Sequence, residues 1–227
     1  MRRPEFSTAR GWLVGLAVLA GLVYPIAWLG WVRNWSWVVV GDASTLDAAY
    51  RIGIEHHAWV TFWNTWCTLF SPLSFRVLTL GLIGYALLRR RTRLALFLFV
   101  SVELSGLVTE GAKWLADRPR PVTAMTTAAS SSFPSGHALG SMVAVLALAV
   151  VLLPLVGRSW WPWLIAAGSV IVLTVGLGRV ALNVHHLSDV VAGWALGYLY
   201  FVLCLLVLRP AWVTPPAETP AAPGSAP

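Results

Sequence analysis

Six stretches of this chain are apolar over close to the length of a membrane crossing, and short clusters of arginine punctuate them. About 20 helical residues traverse the hydrocarbon core of a bilayer. Of the 227 residues, 58% are apolar and 11% charged, and the charge gathers between the apolar runs instead of coating a surface. The class that follows is an all-α polytopic membrane protein, with lipid as its solvent.

The expected crossings are 11–32, 72–88, 94–114, 137–156, 162–178 and 187–208. The first follows Arg2, Arg3 and Arg10. It is too long for a secretory h-region of about 7–15 residues and lacks a small-residue cleavage site, so it is read as a retained anchor. Residues 44–70 differ: Leu46, Tyr50, Ile54 and Ala58 recur every fourth position, with Asp47, Arg51 and Glu55 on another face. With Trp59, Trp63 and Trp66 following, this stretch reads as an interfacial amphipathic helix before the second span.

Six crossings put both termini on one side. Arg2, Arg3, Arg10, Arg89, Arg90, Arg91, Arg93, Arg158 and Arg209 all fall there, which makes that side cytoplasmic. Residues 1–212 form one domain, and the Pro/Ala-rich tail 213–227 is expected to be disordered. The formal net charge of +7 does not indicate nucleic acid, because the basic residues flank helices without forming an aromatic-laced stripe. Cys67 and Cys204 lie in apolar surroundings and read as packing residues.

The polar chemistry collects on the opposite, extracytoplasmic face, in "KWLADRPRP" (113–121), "PSGH" (134–137) and "GRVALNVHHLSD" (178–189). Lys113, the single lysine, joins Arg120 and Arg179 as three cations beside the bilayer, where charge demands a partner. A phosphoryl group is the natural one, since guanidinium forks bind its oxygens two at a time. His185 and Asp189 are four apart, so on a helix the carboxylate takes one ring N–H and leaves the other nitrogen as a nucleophile. His137 has no such partner nearby and is free to protonate a leaving oxygen. Ser135 and Gly136 bring a hydroxyl and open backbone N–H groups to a helix start, a favoured place for an anion. Neutral His185 with protonated His137 implies a bell-shaped pH profile.

Lys113 with Arg120-Pro121, Pro134–His137, and Arg179 with His185 and Asp189 resemble the three signature motifs of the type 2 phosphatidic acid phosphatase (PAP2) superfamily, in its membrane-bound lipid phosphatase branch. The resemblance implies attack of His185 on phosphorus to give a phosphohistidine, orientation by Asp189, and protonation of the leaving alcohol by His137. It implies that Lys113, Arg120, Ser135, Gly136 and Arg179 hold the phosphate, with no metal and no cofactor. The third motif usually begins Ser-Arg; here Gly178 precedes Arg179.

The implied substrate is a lipid phosphate: phosphatidate, phosphatidylglycerol phosphate or a polyprenyl diphosphate. A phosphotransferase using the same site, or an anionic-lipid transporter or binder without catalysis, are the alternatives; oligomeric state has no signature. His186 also lies within reach of Asp189, and Arg118 reads as a solvated loop residue or a partner of Asp117. Glu110 is placed to pair with Lys113, Glu103 is either a packing residue or near a lipid path, His56 and His57 contact headgroups, and Arg76 snorkels to the surface.

Overall fold

The computed structural model describes residues 4–128, 130–208 and 210, with side chains from Gly11 onward. Among the described residues nine α-helices follow in chain order: α1 (Pro4–Val32), α2 (Ser36–Glu55), α3 (His57–Leu69), α4 (Pro72–Leu88), α5 (Thr92–Leu98), α6 (Ser105–Ala116), α7 (Gly136–Leu152), α8 (Trp161–Ala181) and α9 (Leu187–Leu208). A π turn, Phe99–Glu103, joins α5 to α6. Six segments are long and apolar enough to cross a membrane: Gly11–Val32, His57–Leu88, Thr92–Ala116, Gly136–Leu155, Arg158–Ala181 and Leu187–Leu208. Five expected spans agree with these within a few residues, and the second, expected at 72–88, begins instead at His57. The tail 213–227, with Arg2, Arg3 and Arg209, lies outside the described residues.

The stretch expected as one interfacial helix is two. It breaks at His56, whose extended backbone ends α2 and begins α3. The buried stripe of α2 is Val38, Asp42, Leu46, Ala49 and Gly53, a helical period; Tyr50 and Ile54, assigned to the apolar face from a strict four-residue repeat, are exposed. α3 runs on through Phe70 and Ser71 into α4, where Ser71 caps the new helix through the Ser74 amide and Pro72 starts it. Its tryptophans are more than a belt: Trp59 Nε1 donates to the Ala181 carbonyl at 3.2 Å and Trp66 Nε1 to Thr174 Oγ1 at 2.9 Å, fastening α3 to α8.

In lipid, exposing apolar side chains costs nothing, so helices must be held by close packing. Gly193 and Gly197, one turn apart on α9, provide it. A Cβ at Gly193 would stand 2.6 Å from the Ser135 carbonyl oxygen, and one at Gly197 2.8 Å from that of Leu139. The backbones of α7 and α9 therefore touch, and their N-terminal turns, bearing His137 and Asp189, come together. Phe133, fully buried, packs against Tyr24 and Trp31 of α1 at centroid distances of 5.6 and 6.4 Å.

Gly193→Val is therefore expected to cost about 1–3 kcal/mol by overpacking and to lower the thermal midpoint of the detergent-solubilised protein. An unchanged midpoint would mean that α7 and α9 do not depend on this contact.

Candidate active site

Because spans alternate in direction, the C-terminal ends of α6 and α8 and the N-terminal ends of α7 and α9 share one end of the bundle. Lys113 lies in the last turn of α6, Ser135 and His137 at the start of α7, Arg179 in the last turn of α8, and Asp189 in the first turn of α9. Arg120 comes from the 117–135 connection. The eight residues expected from the motifs thus converge. Arg120 lies against His185, Lys113 and Arg120 both bond Ser130, and Lys113 and His137 line one cavity, which brings these side chains into one site.

His185 does not sit on a helix with Asp189, as the four-residue spacing suggested. It lies in the turn between α8 and α9, and the chain folds it back over the first turn of α9. Its Nδ1 is buried 3.5 Å from Asp189 Oδ2, facing the carboxylate without a formed hydrogen bond. Its Nε2 is 3.2 Å from Arg120 Nη1. With the proton on Nδ1, Nε2 presents its lone pair to the cations. Burial is the main force pushing the imidazole down to about 4, against the opposing pull of Asp189, while Arg120 and Arg179 add to the shift. His185 is neutral at physiological pH.

Lys113, 7% exposed, donates to Ser130 Oγ at 2.7 Å; Glu110, its expected partner, is 4.0 Å away with a largely exposed side chain. Arg120 donates to the Val184 carbonyl at 2.7 Å and, through Nε, to that of Ser130 at 3.0 Å. Arg179 is buried and its Nε has no hydrogen-bond partner, so it retains a donor for an anion. Ser135 Oγ accepts from the Ala138 amide as a helix cap and keeps its own proton to donate, while the Ser135 amide donates to the Asp189 carbonyl at 2.9 Å, joining the second motif to the third.

Three residues outside the expected set hold Asp189. Arg118 is not a solvated loop residue: it is 5% exposed and bridges two carboxylates, Nη1 to Asp189 Oδ1 at 2.6 Å and Nη2 to Asp42 Oδ2 at 2.8 Å. Asp42 also accepts from the Ser188 amide at 2.8 Å and the Ser188 hydroxyl at 2.6 Å. The other Asp189 oxygen accepts from Ser132 Oγ at 2.7 Å and from the His186 amide at 2.8 Å. His186 Nδ1 is 3.2 Å from that oxygen, so His186, already within reach of Asp189 by spacing, shares the carboxylate with His185. The signal that could have revealed Asp42 was a carboxylate inside the apolar stripe Val38–Leu46–Ala49–Gly53.

The match to known proteins follows this arrangement. The family model described as PAP2 superfamily matches residues 94–212, more than half of the chain and the part carrying all three motifs. The chain belongs to the PAP2 superfamily. It is 32% identical over 150 residues to phosphatidylglycerophosphatase B of Bacillus subtilis (strain 168), covering 64% of this chain and 73% of that one. The crystal structure described as the first transmembrane PAP2 type phosphatidylglycerolphosphate phosphatase from Bacillus subtilis superposes with a TM-score of 0.68 at 25% identity, over 87% of this chain and 96% of that one. The chain is a multi-pass membrane protein of this family.

Its departure from the PAP2 pattern at Gly178 has a packing reason. A Cβ at this position would stand 2.7 Å from Cys67 Sγ and 2.8 Å from the Trp63 ring. α3 presses so closely on α8 that a serine does not fit without displacement.

Asp42→Asn leaves Arg118 with Asp189 as its remaining counter-charge. Breaking a buried ion pair from one side costs about 3–5 kcal/mol, so the variant should unfold at clearly lower temperature. Unfolding at the parent's temperature would mean that Asp42 is not needed to balance Arg118.

Proposed function

We propose that this protein is a membrane lipid phosphatase that hydrolyses the terminal phosphomonoester of a lipid through a phosphohistidine on His185. The observation that carries the reading is the disposition of His185: Nδ1 faces a buried carboxylate, Nε2 faces Arg120, and Lys113 and Arg179 complete a cationic cradle. The resemblance to a phosphatidylglycerophosphatase makes phosphatidylglycerol phosphate the first candidate substrate.

The terminal phosphoryl oxygens are held by Lys113, Arg120 and Arg179, with the Ser135 hydroxyl and the Gly136 amide as further donors. Nε2 of His185 attacks phosphorus as the bond to the leaving oxygen breaks, and Asp189 stabilises the positive charge that spreads over the ring. His137 gives its proton to the leaving oxygen, releasing the dephosphorylated lipid as an alcohol. A water then attacks the phosphohistidine and His137 takes its proton. The P–N bond breaks, inorganic phosphate departs and neutral His185 is restored. No metal enters these steps, since three cations already neutralise the phosphoryl charge.

The exposed cluster Arg89, Arg90, Arg91 and Arg93, with Arg158, lies at the end opposite the site. The positive-inside rule then puts the termini in the cytoplasm and the site on the extracytoplasmic face of the plasma membrane, where lipid diffuses in laterally.

The first test is phosphate release from phosphatidylglycerol phosphate, phosphatidate and polyprenyl diphosphate by purified parent and His185→Ala, with chelator present. The expected result is release by the parent and at least a 1000-fold loss, on the order of removing a catalytic nucleophile, in the variant. Retained turnover in His185→Ala would sink the mechanism, and labelled phosphate recovered in a second lipid would make the protein a transferase. The pH profile gives an independent check. Protonating His185 removes the nucleophile, so the acid limb of the kcat/KM profile should fall through about 4. An acid limb at the ordinary histidine value would show that His185 is not the group being titrated.

A further inference from the structure

A second cavity adjoins the phosphoryl cradle on the side away from Arg120. It has a volume of about 430 Å³ and opens between the start of α4, the π turn, α6 and the start of α7, with Arg76, Glu103, Gly106, Lys113 and His137 on its wall. A separate cavity of about 410 Å³ contains Arg118, Arg120 and His186. The site is therefore flanked by one chamber that shares Lys113 and His137 and by another that shares Arg120.

Displacement at phosphorus is in line, so the leaving group departs opposite the nucleophile. His137 delivers the proton to the leaving oxygen, and whatever that oxygen remains bonded to must lie on the His137 side. The chamber with Arg76 is that side.

Arg76 was expected to snorkel outward. Instead its guanidinium lies over Gly106 of α6, where any Cβ would collide with it, and its Nε is buried without a hydrogen-bond partner. Among the described residues no carboxylate forms an ion pair with it. A cation inside a membrane span that bonds no carboxylate keeps its donors for an anion, and the chamber, although Glu103 and Glu110 share its wall, is where that anion fits. Glu103, at the end of the π turn, is on the same wall, with Thr79 Oγ1 2.6 Å from its Oε1. A cation beside a carboxylate suits a ligand that offers both an anion and hydroxyl donors.

We propose that Arg76 and Glu103 form a leaving-group subsite that reads a second phosphate, borne by the lipid itself, together with the hydroxyl of the bridge joining it to the reacting phosphate. The inference rests on the hydrolase reading. Gly106, under Arg76, is seven residues from Lys113, which is about 10 Å of helix rise. A glycerol bridge, with a hydrogen bond to a cation at each end, spans two phosphates over this rise, whereas the single oxygen of a diphosphate holds them adjacent and the leaving group of phosphatidate carries no phosphate. The subsite selects a glycerol-bridged phospholipid phosphate.

The test compares steady-state phosphate release from phosphatidylglycerol phosphate, phosphatidate and polyprenyl diphosphate in mixed micelles by parent, Arg76→Gln and Arg76→Lys. Arg76→Gln should raise KM for phosphatidylglycerol phosphate about tenfold or more, the scale of a lost charge-assisted contact, and leave kcat/KM on the other two within about twofold. Turnover of phosphatidate certifies the fold. Arg76→Lys, which keeps the charge without the fork, should recover part of the loss. Unchanged KM for phosphatidylglycerol phosphate in Arg76→Gln overturns the subsite, as does an equal loss on all three substrates in both variants. Failure of the parent on every substrate removes the hydrolase reading and the subsite with it, an outcome separable from a parent that works and a variant that works equally well.

Discussion

Arg118 between Asp42 and Asp189 is the constraint on which the site depends. Asp189 has two oxygens and five groups competing for them: Arg118, Ser132, His185, and the amide and ring of His186. Each fixes a different part of the chain. Arg118 ties the carboxylate to the loop after α6 and, through Asp42, to α2; Ser132 ties it to the approach to α7; His186 closes the turn that carries His185. A buried ion pair is weak grounds for net stability, because desolvation consumes much of the Coulombic gain. Its value here is that an unpaired Arg118 or Asp189 would be far worse than a paired one, so only one arrangement of these loops is tolerable, and it is the arrangement that sets the orientation of His185.

Such a network needs helices that approach closely, and the membrane supplies no hydrophobic drive to bring them together. The glycines of α9 do this on one side of the site, and Gly178 does it on the other by accepting Cys67 and Trp63 of α3. The absence of a side chain at 178 removes one polar group that relatives of the usual pattern would bring to the phosphate. It also shows how the cradle is built: Arg179 is positioned by the fit of its neighbour against α3, with Trp59 and Trp66 bonding α3 to α8 on either side of that contact.

Most of the candidate site was legible in the sequence because each motif is local. Lys113 and Arg120, Ser135 and His137, Arg179 and His185 are fixed by spacing within a loop or a helix end, and the ends of antiparallel spans meet for topological reasons alone. The pairing of Arg118 with Asp42 was not legible, because it spans 76 residues, and the one local mark was a carboxylate within the apolar stripe of α2. The break at His56 was missed for a related reason. Tryptophans and apolar residues repeat on both sides of it, and what calls for two helices is that α2 and α3 each pack on α8. The face of α2 was misassigned because a strict four-residue repeat drifts around a helix of 3.6 residues per turn; the buried line follows the helix, through Asp42.

The division of labour within the chain follows from these placements. The groups proposed as nucleophile, proton donor and phosphate-holding cations all lie within residues 94–212, the part that matches the family model. The preceding helices add no group to the phosphoryl cradle, yet they bound it: α2 contributes the counter-charge of Arg118, α3 sets the room beside Arg179, and α4 brings Arg76 to the chamber beside His137. A cradle of cations is indifferent to what a phosphate is attached to, since it touches the oxygens that every phosphomonoester shares. Discrimination among lipids must come from groups that meet the leaving group, and these are supplied in part by a helix outside the matched region. Chemistry and choice of substrate can then change independently, the first held by motif spacing and the second by which side chains α4 turns toward α6.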